Sequence, residues 1–310
     1  MEMDMCRPLV TIGVITYNSA GTIVETLESV KKQTYGNIEL IISDDASKDN
    51  TVEICRDWLE RNASRFSRVE MITTDVNTGT CGNCDRLLEK TTGLWLRILA
   101  ADDILFGAAV EKFIEYAAAN PEAQWIFSKA HCYKHSFEKD NYLPGGDRHY
   151  LSSEFLDFFT LSAREQYLKF IHINLLYPPA DIVRTDALRI IGGFEAKYGL
   201  NEDIVKDIKL SKAGIKCHFL DDYTMGYRIG ESNVCSNTTR LFNLKSLEDV
   251  LSLQKGLCWD DTPRNLRVYF KMRLFSSRIT QSLGMNRANR IFWFVYYGKL
   301  KIYKIILRIK

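Results

Sequence analysis

The chain has 310 residues, of which 46% are hydrophobic and 26% are charged. These proportions exclude a disordered or fibrous chain and predict a globular protein with one large core or two halves that share an interface. The formal net charge is only +2. Residues 264–310 nevertheless contain 12 Lys and Arg and no Asp or Glu, so the remaining 29 of the 41 basic residues share residues 1–263 with all 39 acidic residues.

Eight cysteines are scattered along the chain without the spacing of a disulfide framework. No secretory signal pattern precedes the first predicted strand, so we expect free thiols in a reducing cytoplasm. Cys81 and Cys84 form a CxxC pair, but no second pair lies at a spacing that is usual for zinc. We therefore interpret these two as thiols on a helix.

The first hundred residues alternate between strand and helix patterns. An apolar run at 9–15 predicts the first strand, and Thr22 with Glu25 predicts a capping box at the start of the first helix. This alternation requires a parallel sheet with right-handed crossovers, which is the α/β fold class. The further predicted elements are strands at 39–43, 69–73 and 95–100, and helices at 51–61 and from the turn at 77–79 to about Lys90.

Two acidic pairs follow apolar runs that are typical of buried strands. They are Asp44 to Asp45 and Asp102 to Asp103. Carboxylates at the carboxyl ends of neighbouring parallel strands lie where open α/β sheets bind ligands. The first pair alone is more typical of a turn that caps a helix at Thr51 than of a ligand site. A third acidic element, Asn201 to Asp203, lies about a hundred residues after the second pair and favours the ligand-binding interpretation.

The turn after the first strand bears on how phosphates would be held. Residues 16–21 contain neither a GxGxxG nor a GxxxxGK[ST] pattern, so neither a dinucleotide-binding fold nor a P-loop NTPase is indicated. A divalent ion that bridges a diphosphate to one or two carboxylates is the physical substitute, because Mg²⁺ and Mn²⁺ prefer oxygen ligands.

Several motifs, taken in order, resemble the family 2 glycosyltransferases with a GT-A fold. The resemblance extends over roughly residues 8–235. It implies a Rossmann-like, mostly parallel sheet flanked by helices, with a helical basic extension at the carboxyl end. The motifs are IGVITYN at 12–18, IISDDAS at 41–47 and LAADDIL at 99–105 for the nucleotide-sugar half, and GGF at 192–194, NED at 201–203, Asp207 and YR at 227–228 for the acceptor half.

The same resemblance implies a domain organisation. Residues 1–128 would form the nucleotide-sugar-binding half, and residues 129–235 the acceptor-binding half of the same domain. Residues 236–310 would form the helical basic extension. The segment at 137–150 reads as a loop, which is either a lid over the acceptor or a variable surface insertion.

For the donor, the resemblance implies a nucleotide-binding set of Thr16, Tyr17, Asp45 and Asp102. Tyr17 would lie against the base ring, and Asp45 would accept a hydrogen bond from the base, which favours uracil. Asp102 would bind the ribose, and Asp103 would contact an Mn²⁺ or Mg²⁺ ion that bridges the diphosphate.

The chain departs from the family at two metal-binding positions. The family's usual motif is Asp-x-Asp, and here Ala100 or Ala101 occupies the first position. We therefore expect modest metal affinity, and whether Asp102 or Asp103 contacts the ion stays open. Many relatives have a metal-reaching His shortly after Tyr-Arg, for which Glu231 is the candidate substitute here; a plain loop is the alternative.

For the acceptor, the resemblance implies that Asp203 is the base that removes the hydroxyl proton, with Glu202 as the second candidate. A carboxylate within hydrogen-bond reach of the attacking hydroxyl contributes on the order of 10²- to 10⁴-fold in rate. A divalent ion would neutralise the departing phosphate. A single base and a single displacement predict inversion at the anomeric carbon.

The basic tail at 265–310 combines cations with apolar residues. Its longest uncharged apolar run, Ile291 to Gly298, has eight residues and falls far short of the roughly 20 that a membrane-spanning helix needs. One interpretation is an amphipathic helix that lies on an anionic membrane surface. The other is a helical pair that packs on the sheet and leaves its cations in solvent.

These observations predict a cytoplasmic, metal-dependent, inverting glycosyltransferase of the hexosyltransferase type, with the inner face of the membrane as a peripheral location. Its donor would be a nucleoside diphosphate sugar with UDP favoured. Its acceptor would be a saccharide or lipid-linked saccharide in surface polysaccharide or lipopolysaccharide synthesis. No nucleic-acid partner is expected. The alternatives are a catalytically silent nucleotide-sugar binding module and a sugar nucleotidyltransferase.

Overall fold

The computed structural model describes residues 7–146, 150, 152–171, 176–177, 179–229, 240–287 and 289–308. The chain divides into two compact units, Met1–Arg228 and Ile229–Lys310. The first unit contains the sheet and all three acidic motifs, and the described residues of the second form three helices. The finer division at residues 128 and 235 stays a prediction.

The first unit is built on one sheet of eight strands. Strand order is β3-β2-β1-β4-β7-β6-β8-β5. β1 is parallel to β2 and β4, and β2 is parallel to β3, as predicted, whereas β7 is antiparallel to both β4 and β6, and β5 is antiparallel to β8. The strands are β1 (Val10–Thr16), β2 (Ile38–Asp44), β3 (Arg68–Ile72), β4 (Trp95–Ala100), β5 (Ile104–Leu105), β6 (Trp125–Lys134), β7 (Asp181–Arg184) and β8 (Cys217–Ile229).

Helices connect the parallel strands and cover the sheet, which confirms the predicted α/β class. The helices of the first unit are α1 (Ile23–Lys31), α2 (Thr51–Asn62), α3 (Gly79–Lys90), α4 (Ala109–Ala119), α5 (Ser153–Phe158), α6 (Ala163–Phe170), α7 (Thr185–Ile190) and α8 (Glu202–Lys212). Those of the second unit are α9 (Leu244–Leu257), α10 (Arg264–Ser282) and α11 (Arg290–Ile306).

The central strands form because their sequences suit burial on both faces. β2 is buried at every position, and β1 is buried at all but one. β1 is a nearly continuous run of aliphatic and β-branched residues, and β2 has aliphatic residues at four of its seven positions, which is typical of parallel strands covered by helices on both sides.

The predicted capping box at the start of α1 is wrong. Thr22 is the N-cap residue, but its side chain caps no backbone N–H. Its backbone (φ −127°, ψ −28°) lies outside the extended region that capping residues use, and its hydroxyl lies 3.4 Å from the Ser19 carbonyl oxygen. The Glu25 side chain instead pairs with Arg228.

Cys81 and Cys84 both lie on α3, which confirms that they are thiols on a helix. Both are free and fully buried. Burial, with a smaller contribution from the nearby Glu202 carboxylate, raises the pKa of Cys81 to about 12. A thiol with so high a pKa is a packing group and a poor nucleophile at neutral pH.

A buried carboxylate joins the strands at the amino end of the sheet. Glu39 on β2 has no exposed surface, and it accepts hydrogen bonds from Thr11 Oγ1 at 2.5 Å and from Thr92 N at 2.9 Å. It also pairs with Arg68 on β3. Burial raises the pKa of Glu39, but these hydrogen bonds outweigh burial, so the pKa lies below its ordinary value.

The second unit has its own small core. Phe242, Tyr296 and Leu300 are buried together. The Ser277 and Tyr296 hydroxyls are 2.7 Å apart, and Asn265 Nδ2 donates to the Leu307 carbonyl oxygen at 3.0 Å, so α10 and α11 run antiparallel. The described part of the basic tail therefore forms a pair of helices with contacts inside its own unit, whereas packing of this pair on the sheet and binding to a membrane both stay predictions.

α11 also presents a second apolar face to solvent. Ile291, Val295, Ile302 and Ile305 recur at helical spacing and are all exposed, while Leu300 on another face is buried. None of the helices in the described part of the chain has both the length and the hydropathy needed to cross a bilayer.

The Glu39 cluster leads to a stability prediction. Glu39→Ala should lower the free energy of unfolding by about 3 kcal/mol or more, because Arg68 and the Thr11 and Thr92 donors lose a buried partner. Urea denaturation measures the change. Since the native pKa is lowered, the contribution of Glu39 should be present above the ordinary pKa and be lost as the pH falls through the native pKa.

The control is Glu111→Ala, which removes an exposed ion pair with Arg7. The free energy of unfolding of this variant should fall by at most about 1 kcal/mol. Equal losses for the two variants would contradict a special role for the buried carboxylate.

Candidate active site

The predicted donor-site residues follow strand ends that share one edge of the sheet. On β1, Thr16 pairs with Asp44 of β2, and Ile15 pairs with Ala100 of β4. These three parallel strands therefore end at the same level, as expected for a ligand site at the carboxyl edge of an α/β sheet.

Asp44 closes the turn after β2. It is 1% exposed, and its Oδ1 accepts a hydrogen bond from Ser47 N at 2.9 Å. Ala46 within this turn has a φ of +66°, a left-handed conformation that is uncommon for residues other than glycine. Asp44, the first carboxylate of this pair, therefore stabilises a turn.

Asp45 is directed towards the start of α3. Its two carboxylate oxygens accept hydrogen bonds from Thr78 N and Thr78 Oγ1, from Gly79 N at 2.8 Å and from Arg86 Nη2 at 2.7 Å. These donors engage both oxygens, so a base would have to replace one of them. The predicted contact between Asp45 and the base stays a prediction, and Arg86 is a neighbour that the sequence analysis missed.

The start of α3 also touches the loop that leads to α8. Cys81 N donates to the Gly199 carbonyl oxygen at 2.8 Å. Gly79 has a φ of +76°, and a Cβ there would lie 3.2 Å from the Gly199 carbonyl oxygen. α3, in the predicted nucleotide-sugar half, and the loop before α8, in the predicted acceptor half, thus meet backbone to backbone.

Thr16 and Tyr17 stand at the end of β1. Thr16 is 3% exposed, and its hydroxyl has no hydrogen-bond partner among the described residues. Tyr17 is 47% exposed, so its ring surface is accessible to a ligand. The accessible ring is compatible with the predicted stacking on a base, which stays a prediction.

Asp102 and Asp103 differ in accessibility. Asp103 is 3% exposed, and its Oδ1 accepts a hydrogen bond from Arg228 N at 2.9 Å. Burial, reinforced by Asp102, raises the pKa of Asp103 well above its ordinary value. Asp102 is only partly buried; burial raises its pKa, and the charge of Arg228 opposes this rise. Asp102 is therefore the more accessible carboxylate.

Glu202 and Asp203 occupy the first turn of α8. A helix amino terminus favours negative charge there. Asp203 Oδ1 accepts a hydrogen bond from Ile204 N at 2.7 Å. Burial first, and then the adjacent charge of Asp203, raises the pKa of Glu202 to about 8. These effects favour the protonated form of Glu202 at neutral pH.

One cavity is lined both by Asp103, from the predicted donor site, and by Glu202 and Asp203, the predicted acceptor-side pair. It has a volume of about 60 Å³, which is room for a few water molecules, and its lining includes Asp103, Glu202 and Asp203 together with Arg97 and Lys206. The remaining predicted site residues are not part of its described lining: Thr16, Tyr17, Asp45 and Asp102.

Buried charges beneath the cavity hold α8 against the sheet. Lys206 on α8 pairs with Asp181 on β7, which also accepts a hydrogen bond from Trp125 Nε1 at 2.7 Å. Burial lowers the pKa of Lys206, but Asp181 and Asp207 outweigh burial, so the pKa lies above its ordinary value. This pair fixes the helix whose first turn carries Glu202 and Asp203.

The donor set for a metal ion is small. Among the described residues, no group of three or more His, Cys, Asp and Glu side chains could hold an ion. Asp103 is buried and accepts a hydrogen bond from Arg228 N. Asp102 is therefore the accessible oxygen ligand. These residues fit an ion that takes one protein carboxylate and fills its shell with diphosphate and water oxygens. Glu231 lies outside the described residues.

Comparisons with known proteins agree on one family. The model described as Glycosyl transferase family 2 matches residues 11–178, more than half of the chain. An uncharacterized glycosyltransferase of Haemophilus influenzae is 24% identical over 260 residues, which is 82% of this chain and 94% of that protein. Relatives at 31 to 32% identity align over 104 to 118 residues, so this chain spans less than two fifths of their length.

Solved structures share the fold. S. aureus TarS in complex with UDP-GlcNAc has a TM-score of 0.61 at 17% identity, with 94% of this chain and 80% of that chain covered. The mannosyltransferase PcManGT from Pyrobaculum calidifontis, in complex with GDP-Man and Mn²⁺, has a TM-score of 0.58 at 15% identity, with coverages of 98% and 87%. These neighbours confirm the expected GT-A architecture.

The raised pKa of Glu202 leads to a pH prediction. Its native pKa of about 8 exceeds the ordinary 4.5, so between these values the native state binds more protons than the unfolded state. Stability should therefore fall as the pH rises through this interval. Glu202→Gln removes the ionising group, so its melting temperature should rise relative to the unmodified protein, by about 3 °C or more at alkaline pH.

The control is Glu165→Gln on α6, since Ser162 lowers the pKa of that exposed carboxylate. This variant should gain no stability as the pH rises. A difference in melting temperature between Glu202→Gln and the unmodified protein that stays constant at all pH values would contradict the raised pKa of Glu202.

Proposed function

This chain belongs to glycosyl transferase family 2, and on that premise we propose that it transfers a sugar from a nucleoside diphosphate sugar, with UDP favoured, to a saccharide acceptor. One observation carries the proposal. Asp103 at the donor edge and the Glu202 and Asp203 pair of α8 line one small cavity, so the acidic residues assigned to the donor and to the acceptor lie close together.

In the proposed reaction, Asp203 is the base. Burial favours the protonated form of Glu202, so we assign proton removal to Asp203, the other carboxylate of the pair. The acceptor oxygen forms a bond to the anomeric carbon as its proton passes to the Asp203 carboxylate. The bond between that carbon and the diphosphate oxygen breaks, and its electron pair leaves with the nucleoside diphosphate. One such displacement inverts the anomeric centre.

The donor would lie along the carboxyl edge of β1, β2 and β4. The Tyr17 ring is open to a base, and Asp45 with Arg86 forms an ion pair that can exchange partners with base donors and acceptors. Asp102 would hold a divalent ion, Mn²⁺ or Mg²⁺, which when bound supplies charge neutralisation to the leaving diphosphate. Asp103 would position this segment through Arg228. This assignment makes Asp102 the ligand of the pair.

The proposed acceptor is a lipid-linked saccharide of surface polysaccharide or lipopolysaccharide synthesis. α11 exposes an apolar face that includes Phe294, which is 72% exposed. Lys301 and Lys304 are exposed on the same helix, and residues 264–308 contain no acidic side chain. This combination fits an anionic lipid surface. Cys55, Cys81, Cys84 and Cys217 are free thiols, in keeping with the cytoplasmic face of a membrane.

Transfer chemistry should depend on the Asp203 carboxylate. Asp203→Asn keeps the shape of the side chain and removes the base, so kcat for UDP-sugar turnover should fall about a hundredfold or more while UDP affinity is retained. Turnover and calorimetric UDP binding measure the two effects. The control is Asp186→Asn, an exposed ion-pair partner of Arg184, which should leave both unchanged.

If Asp203→Asn transferred sugar at a near-normal rate, the role of the base would have to be assigned to Glu202 or to another residue. A protein that binds UDP-sugars but neither hydrolyses nor transfers them, with Mn²⁺ present, would be the silent binding module instead.

Membrane association should depend on the exposed face of α11. Replacing Phe294 and Ile305 together by Ser should weaken binding to anionic vesicles about tenfold or more, because both side chains would leave the lipid boundary. The melting temperature should not change, since neither side chain is buried. Sedimentation with anionic and neutral vesicles at low and high salt measures the effect.

The matched control is Ile190→Ser, since Ile190 on α7 is equally exposed in the first unit. It should bind vesicles as the unmodified protein does. Unmodified protein that ignores anionic vesicles at physiological salt would contradict the membrane proposal.

A further inference from the structure

A nearly buried arginine lies beside the acidic pair of the donor site. The Arg228 side chain is 11% exposed. Its Nε donates to the Asp102 carbonyl oxygen at 2.8 Å, and its backbone N donates to Asp103 Oδ1 at 2.9 Å. The guanidinium also lies over the Phe137 ring, 4.4 Å from the centroid. A cation is thus held in one orientation within the segment that would face the diphosphate.

The segment around this cation is built to keep it in place. Arg228 also donates to the His135 carbonyl oxygen, and His135 has a φ of +68°. A Cβ at Gly226 would lie 2.8 Å from the Phe137 ring, so β8 packs closely on the loop that carries both residues. Two carbonyl oxygens and an aromatic face fix the guanidinium.

The partner with the most solvent access is a carboxylate. Glu25, in the first turn of α1, pairs with Arg228 Nη2, and its side chain is 48% exposed. A carboxylate and a phosphate oxygen make the same type of hydrogen bond with a guanidinium. Glu25 therefore occupies a position on Arg228 where an anionic ligand from solvent could bind, and it can move into solvent at little cost.

Departure of a nucleoside diphosphate requires positive charge on the leaving oxygens. This chain has alanine at the first position of the usual metal motif, and Asp102 is the accessible carboxylate of the pair. One carboxylate binds an ion weakly. A protein cation in the same segment must therefore neutralise more of the negative charge on the leaving diphosphate.

We propose that Arg228 exchanges Glu25 for an oxygen of the donor diphosphate and neutralises the leaving group. The inference rests on the proposed glycosyl transfer. As the anomeric carbon separates from the diphosphate oxygen, the electron pair that stays on the diphosphate is stabilised by the guanidinium. Arg228 is then a catalytic residue that contacts the donor, and Glu25 is the group that competes for it.

Calorimetric titration with UDP, in EDTA and in Mn²⁺, tests the proposal. Glu25→Gln removes the competing charge and leaves the arginine, so UDP should bind about threefold to tenfold more tightly in EDTA. Arg228→Gln should weaken UDP binding about tenfold or more in EDTA and less in Mn²⁺, where the ion carries part of the charge. The UDP affinity of Arg228→Lys should lie between that of the unmodified protein and that of Arg228→Gln. Circular dichroism melting curves accompany each variant.

The control is Glu111→Gln, which removes the carboxylate of a comparable arginine pair with Arg7 and should leave UDP binding unchanged. If Arg228 were a structural clasp alone, Glu25→Gln would loosen the site, and UDP binding would weaken or match the control. Either result would overturn the inference, even if Arg228→Gln fails to fold. Unmodified protein that binds no UDP in Mn²⁺ would instead overturn the proposed function.

Discussion

Charge burial at the carboxyl edge of the sheet is the constraint from which most of the site geometry follows. An ion taken out of water costs several kcal/mol unless it is paired, so each buried charge needs a partner. Lys206 meets this need through Asp181 on β7, and the pair draws α8 onto the sheet. Arg97 on β4 donates to the Pro179 carbonyl oxygen at 3.1 Å. The first turn of α8 is positioned as a result of this pairing.

The parallel half of the fold could be predicted because its signals are local. Each strand is a short apolar run, and each connection holds a helix, so the order of elements determines the topology. The antiparallel half could not be predicted in the same way. β7 has four residues and inserts between β4 and β6, and no pattern in so short a segment indicates its neighbours. The capping box failed because the backbone at Thr22 does not present its hydroxyl to the helix.

Within the candidate site, residue types were predictable and partners were not. The acidic pairs follow strand ends, which the sequence shows directly. The contact of Asp45 with Arg86 joins residues 41 positions apart, and that of Asp103 with Arg228 joins residues 125 positions apart. In both cases a hydrogen-bond donor of the chain itself contacts a carboxylate that the sequence alone would assign to ligand binding. A site of this kind exchanges existing hydrogen bonds, which keeps its groups oriented before a donor arrives.

The contact between Gly79 and Gly199 limits how the two halves can diverge. Backbone faces backbone where α3 meets the loop before α8, so side-chain repacking cannot absorb a shift of either segment at this point. If this loop contacts the acceptor as proposed, a loop transplanted from a relative would have to reproduce the path of the main chain at Gly199. New acceptor preferences are therefore expected to arise by replacement of side chains around a constant backbone more readily than by exchange of whole segments.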